Sequence, residues 1–148
     1  PHPDYGVIIF DLPDPREEAL GKLYSVSGYK LCLRHLAPGG VIVTQASSPY
    51  YVREAFWSVA ATLEEAGFSV TPYHVWVPSF GDWGFHLASR DRLDPAKLQF
   101  TVARRFLRSE QFSRMLQFDT DTERLPVASN RLDRPRLSRY YRQGMARW

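Results

Sequence analysis

Two carboxylates stand three positions apart directly after a run of bulky apolar residues, in the stretch "IIFDLPDP" at residues 8 to 15. Asp11 follows Ile8, Ile9 and Phe10, and Asp14 sits between Pro13 and Pro15. A carboxylate can accept a proton or hold a cation, and the prolines restrict the backbone that carries both acids. A third polar group, Gln45, ends a second apolar run, "VIVTQ". In open α/β sheets, ligands bind beyond the carboxyl ends of the parallel strands, and neighbouring strands lie about 4.8 Å apart. Asp11, Asp14 and Gln45 are therefore expected to share one crevice. For Asp14 a second reading stays open, because "DPREE" is a good helix start and an aspartate there can cap it.

The elements that must hold these groups follow from period and punctuation. Residues 6–10 read as a buried strand closed by a proline-rich turn. Residues 16–36 read as mostly helical, with "APGG" at 37–40 as the stop and 41–45 as the next strand. Ser48 is the expected N-cap and Pro49 the first position of a helix whose apolar face carries Val52, Phe56, Val59, Ala60 and Leu63, ended by Gly67. "SVTPYHVWV" at 69–77 and "WGFHLAS" at 83–89 alternate as strands around the turn "PSFGD" and are expected to pair antiparallel. The order strand, helix, strand, helix, strand, strand implies a parallel sheet with helices on its faces and an antiparallel ending. The fold expected is α/β: the C-terminal half of a doubly wound, Rossmann-like domain over residues 1–92. A basic extension over 93–148 follows, with a helix from Asp94-Pro95 to about Leu107. Beyond it come short helices and extended segments that need a surface to lie on.

The chain has 148 residues, 44% of them hydrophobic, enough for a core, and a net charge of only +3. That charge gives no argument for nucleic acid. The arginine-rich tail "RLDRPRLSRYYRQGMARW" reads as partly docked and partly solvated, with attraction to an anionic membrane surface as a lesser alternative. The single cysteine, Cys32, reads as a buried thiol, and no zinc spacing exists. His2, His35, His74 and His86 lack metal-ligand spacing, so no metal is expected. No G-x-S-x-G elbow supports hydrolase chemistry. No run approaches the about 20 apolar residues of a membrane span. The opening "PHPDYGVIIFD", a few residues ahead of a strand, gives the expectation that this is a piece of a longer chain.

"YGVIIFDLPDP", "LYSVSGYKLCLRHLAPGGVIVTQ" and "VPSFGDWGFHLAS" together resemble the polyamine aminopropyltransferases, the spermidine and spermine synthases. The resemblance spans about residues 5 to 90. With "SPYYVREAFWS" it is most similar to long bacterial members that carry a membrane-spanning N-terminal region. It implies a methyltransferase-like Rossmann fold and transfer of an aminopropyl group from decarboxylated S-adenosylmethionine to a polyamine, with no tightly bound cofactor. Asp11 matches the family's catalytic aspartate, and Asp11 with Leu12 falls where the co-substrate is held. Asp14 matches the second aspartate, which contacts the amine, and Gln45 the glutamine near the acceptor. Phe80 stands where many members have tyrosine. Asp82 and Trp83 in the same turn add an acid and a cation–π face, although core packing is the other reading for Trp83. The nucleoside-binding Gly-rich turn has no counterpart here. The resemblance thus implies the C-terminal half of the domain, inactive alone, working in the cytoplasm or at the cytoplasmic face of the inner membrane.

Two other functions stay open on the residues alone: an S-adenosylmethionine-dependent methyltransferase of the same fold, and a half-domain that acts by assembly. If residues 6–10 were the fourth strand of a seven-stranded sheet, "GVIIF" would be an uncovered edge, which predicts a homodimer or higher oligomer.

Overall fold

The computed structural model describes residues 4–97 and 99–148, so His2 and Leu98 lie outside it. The first strand, β1 (Tyr5–Phe10), runs parallel to β2 (Leu36–Gln45), and β3 (Ser69–Val77) and β4 (Gly81–Ser89) form an antiparallel hairpin. The sheet order is β1-β2-β4-β3, with β4 antiparallel to β2. The mixed sheet expected from the alternation is present.

Register explains the burial. Ile8 lies opposite Ile42, which lies opposite Ala88, and Thr44 lies opposite His86. These positions share one face, and Ile42, Thr44, His86 and Ala88 are fully buried there. The helices α2 (Val26–Arg34) and α3 (Arg53–Ala66) cover that face with Tyr29, Phe56, Val59 and Leu63. The other face carries Val7, Ile9, Val43, Phe85 and Leu87, all partly or largely exposed. Helices on both faces were expected. Among the described residues both crossovers run over the same face.

Several boundaries differ from the sequence reading. The expected helix over 16–36 is two: α1 (Glu18–Gly21) and α2, which Ser25 caps by accepting a hydrogen bond from the Gly28 N–H at 3.2 Å. Asn130 separates them, because its Nδ2 donates to the Gly21 and Tyr24 carbonyls at 2.7 and 3.1 Å and its carbonyl accepts from Val26 N–H. "APGG" does not precede β2 but bulges within it: Tyr5 pairs with Leu36 and Val7 with Val41. Ser48 does not cap α3. Its Oγ accepts from the N–H groups of Tyr50 and Tyr51 in a turn, and α3 starts only at Arg53. Gly67 ends α3 as expected, at φ 103°, with its N–H on the Glu64 carbonyl.

The helix expected from Asp94 to Leu107 is only a 3₁₀ turn, Pro95–Lys97. Among the described residues that follow, Val102 and Phe106 stand exposed, while Phe100 meets Phe112 edge-on at 5.7 Å between ring centres. Further on, α4 (Ser109–Met115) and α5 (Leu137–Met145) are short, and the tail between them lies along α3. Trp57 Nε1 donates to the Thr122 carbonyl at 2.9 Å and Ser58 Oγ to the Ala128 carbonyl at 2.7 Å. Leu137 and Tyr141 of α5 join the same core as Tyr24 and Val52.

Candidate active site

The turn after β1 is shaped by one buried side chain. Gln45, at the end of β2, donates from Nε2 to the Leu12 carbonyl at 2.6 Å and to the Tyr24 hydroxyl at 2.9 Å. Its Oε1 accepts from Ser47 N–H at 3.0 Å. Tyr24 in turn donates to the carbonyls of Leu12 and Pro13. Burial pushes the Tyr24 phenol well above its usual range, so it is a permanent donor. Two prolines in the turn remove backbone donors, and the Gln45–Tyr24 pair supplies partners to the carbonyls that remain.

The two acids then take different places. Asp11 is exposed and, among the described residues, makes no side-chain hydrogen bond or ion pair. It lines a cavity of about 340 Å³ with Gln45, Ile9, Phe85, Phe80 and Trp83. Asp14 is half-buried and lies in an adjoining cavity of about 360 Å³, which shares the Phe80 and Trp83 walls. Its Oδ1 accepts from Ser47 Oγ at 2.6 Å and, more weakly, from Gln45 Nε2 at 3.5 Å, and its Oδ2 accepts from the Tyr141 hydroxyl at 2.9 Å. These donors are all neutral, so the charge of Asp14 is held in place but not cancelled. It caps no helix: Glu17 occupies the N-cap position of α1.

Ser47 has φ 63°, the left-handed region that a non-glycine residue rarely occupies. Four contacts hold it there: Gln45 Oε1 on its N–H, Asp14 on its hydroxyl, and Gly84 N–H on its carbonyl at 2.7 Å, with Ala46 N–H returning to the Gly84 carbonyl. Gly84 must be glycine, because a Cβ there would come within 2.3 Å of the Phe56 ring. The acid-bearing turn is therefore clamped to the hairpin through Ser47.

Of the residues expected to act together, Asp11, Gln45, Phe80 and Trp83 do meet around one cavity, and Asp14 is next door. Phe80 stands largely exposed at the hairpin turn and packs on Trp83 at 5.0 Å between ring centres. Trp83 is partly buried and serves as a wall to both cavities. Asp82 points to the opposite sheet face, where its Oδ1 pairs with His74 Nδ1 at 2.6 Å. Leu12 takes part through its carbonyl, and its side chain packs against the core. Sequence reasoning missed Tyr24, Ser47 and Tyr141. Tyr141 lay in the arginine-rich tail, and only its helical spacing from Leu137 hinted at a buried face.

The other titratable groups fall outside this arrangement. His86 is fully buried, bonds through Nε2 to the Phe56 carbonyl at 2.9 Å, and is pushed by burial down to about 4, so it is neutral. Cys32 is a buried free thiol, raised by the same cause. Among the described residues no His, Cys, Asp and Glu cluster could hold a metal, and no helix is long and apolar enough to cross a membrane. The arrangement suits an organic cation: an acid without a side-chain partner at Asp11, a second acid held by neutral donors at Asp14, and aromatic walls.

Comparison with known proteins agrees. Residues 2–98 match the family described as "Spermine/spermidine synthase domain". The chain is 44% identical over 140 residues to polyamine aminopropyltransferase 2 of Ralstonia nicotianae, which covers 94% of the chain and 28% of that protein. It is 41% identical over 146 residues to the polyamine aminopropyltransferase of Mycobacterium tuberculosis, which covers 97% of the chain and 28% of that protein. The chain thus spans little more than a quarter of the length of these relatives. In fold it is similar to the spermidine synthase of Thermotoga maritima, with a TM-score of 0.61 at 21% identity over 78% of this chain and 41% of that one. A spermidine synthase solved with the transition-state analogue AdoDATO gives a TM-score of 0.54 at 19% identity, over 66% of this chain and 37% of that one. By sequence family, and by a fold that agrees with it, the chain is a member of the spermine/spermidine synthase family.

Proposed function

We propose that the complete protein transfers an aminopropyl group from decarboxylated S-adenosylmethionine to a polyamine, and that residues 1–92 of this chain supply the acceptor side of the site. The observation that carries this reading is the uncompensated carboxylate of Asp11 at the end of β1, beside an aromatic cavity and a second, neutrally bonded acid. An ammonium is drawn to such a site, and its alkyl chain to the aromatic walls. To react, the amine must be neutral, because its lone pair forms the new bond. Asp11 accepts the proton. The nitrogen then attacks the carbon beside the sulfonium, the C–N bond forms, and the C–S bond breaks with its electron pair going to sulfur, leaving a neutral thioether.

The other roles follow from placement. Asp14 binds the amine. Phe80 and Trp83, packed on each other, form one aromatic wall along its chain, and Gln45 acts by fixing the turn that aims Asp11, its hydrogen-bonding groups being committed to Leu12, Tyr24 and Ser47. Leu12, whose carbonyl that amide fixes, marks where the co-substrate passes the turn. Asp82 acts at one remove, by holding the hairpin through His74. The test is Asp11→Asn in the complete enzyme. We expect turnover to fall at least about 100-fold with the fold intact, and Asp14→Asn to raise mainly the Michaelis constant for the amine. Near-normal turnover in folded Asp11→Asn removes the assignment.

Assembly and location belong to the same proposal. Val7 and Ile9 are 58% and 73% exposed on an edge strand free of charge and proline, next to an apolar groove lined by Tyr5, Phe10 and Leu31. Such an edge pairs readily, so this chain by itself is expected to form a homo-oligomer that buries β1. The complete protein resides in the cytoplasm or, as the likeness to long bacterial members supports, at the cytoplasmic face of the inner membrane. Light scattering and membrane fractionation test these two points.

A further inference from the structure

We infer that the C-terminal helix α5 is part of the acceptor site: Tyr141 positions the Asp14 carboxylate, and Trp148 closes the cavity beside it and limits the length of amine admitted. This rests on the aminopropyl-transfer reading above and extends it to the tail, which lies beyond residue 98, where the family match ends.

Tyr141 reaches Asp14 across 127 positions of sequence. Its hydroxyl holds Oδ2 while Ser47 holds Oδ1, so the plane of the carboxylate is fixed from both sides. Burial, and then the charge of Asp14, raise the Tyr141 phenol, which keeps it a donor. The helix that carries it is seated, not draped. Asn130 Oδ1 accepts from the N–H groups of Arg136 and Leu137 at its start, and Leu137 is fully buried. At its far end Gly144 lies so close to Tyr51 and Val52 that a Cβ would come within 2.9 Å of both.

The cavity at Asp14 takes its aromatic walls from three parts of the chain: Tyr51, the Phe80–Trp83 pair, and Tyr141 with Trp148. Trp148 packs against Tyr50 and Tyr51, at 5.2 and 5.4 Å between ring centres. Arg16 also lines this cavity, and its positive charge opposes an ammonium there, so the attraction at this end of the site comes from Asp14 alone. An alkyl chain that carries its ammonium to Asp14 therefore runs against rings of the tail. The match to the Mycobacterium tuberculosis relative covers 97% of the chain, so it takes in α5 as well.

The experiment uses the complete enzyme with Tyr141→Phe and, separately, Trp148→Ala, assayed with diaminopropane, diaminobutane and diaminopentane. Tyr141→Phe keeps the ring and removes one hydrogen bond to a charged group. It should raise the amine KM about tenfold while kcat and the co-substrate KM stay within about twofold. Trp148→Ala, at a position 68% exposed, leaves the fold intact and should narrow the discrimination among the three diamines at least about fivefold. Unchanged amine KM in Tyr141→Phe, together with unchanged discrimination in Trp148→Ala, in an enzyme that does transfer aminopropyl groups, overturns this inference and leaves the proposed function standing. A wild-type enzyme that transfers nothing to any diamine overturns both.

Discussion

Both faces of the sheet carry apolar side chains, with opposite fates. On one, Ile42, His86 and Ala88 are sealed under α2 and α3; on the other, Ile9, Val43, Phe85 and Leu87 lie only partly covered. Alternation along each strand made both faces apolar, and a sheet apolar on both sides is one built to be covered on both sides. The difference teaches where stability and chemistry are divided. The sealed face holds the fold, and the open face leads at its strand ends into the cavity of Asp11.

Substitutions on each face sharpen that contrast. Phe56→Ala should be the most damaging, at about 3–5 kcal/mol, because a fully buried ring against His86, Trp57 and Gly84 leaves a cavity; urea denaturation checks it. Acid should act next. His86 is held down to about 4 in the folded chain against an ordinary value near 6.5, so the unfolded state binds more protons between those limits. Its neutral form stabilises fully above pH 6.5 and that contribution falls away as pH drops to about 4, a loss of about 3 kcal/mol. In His86→Gln, melting temperature should depend less on pH across that window. Gly84→Ala should cost about 1–3 kcal/mol and also loosen Ser47, giving a turnover defect that a purely structural site would not show. Ile9→Ala should change stability by no more than about 0.5 kcal/mol at low protein concentration. If a second copy pairs with β1, the same substitution should weaken more as concentration rises; an effect as large as that of Phe56→Ala in a monomer would mean the two faces are not different after all.

The strands, the long helix stop at Gly67 and the pairing of the hairpin were legible because each is written in neighbouring residues. So were Asp11, Phe80 and Trp83 as companions, since strand ends and turns place them. The break between α1 and α2 was not, because the group that makes it, Asn130, lies more than a hundred positions away. The true start of α3 was hidden for a similar reason: Ser47 and Ser48 serve a turn whose purpose is to reach Asp14 and Gly84, and local capping rules cannot see that demand. Gln45 was legible at its strand end beside Asp11, while the hydrogen bonds that tie it into the turn were not. Its position at a strand end is visible in the sequence, but its partners Leu12, Tyr24, Ser47 and Asp14 come together only after folding. Asp82 shows the limit of turn reasoning in another way, since one step along a strand moves a side chain to the other face.

Asn130 and Tyr141 also fix an order of events. The turn that carries both acids is made early in synthesis, yet its last hydrogen bond comes from a residue 127 positions further on, and the break between α1 and α2 behind it waits for Asn130, 109 positions beyond Gly21. While the chain is growing on a ribosome, strands and helices near its start can form, but Asp14 is not held on both oxygens until α5 has emerged. A chain cut short in the tail therefore carries both aspartates and an unfinished site. The Asp14 carboxylate gains its full set of hydrogen bonds only with Tyr141, and not with the residues of its own turn.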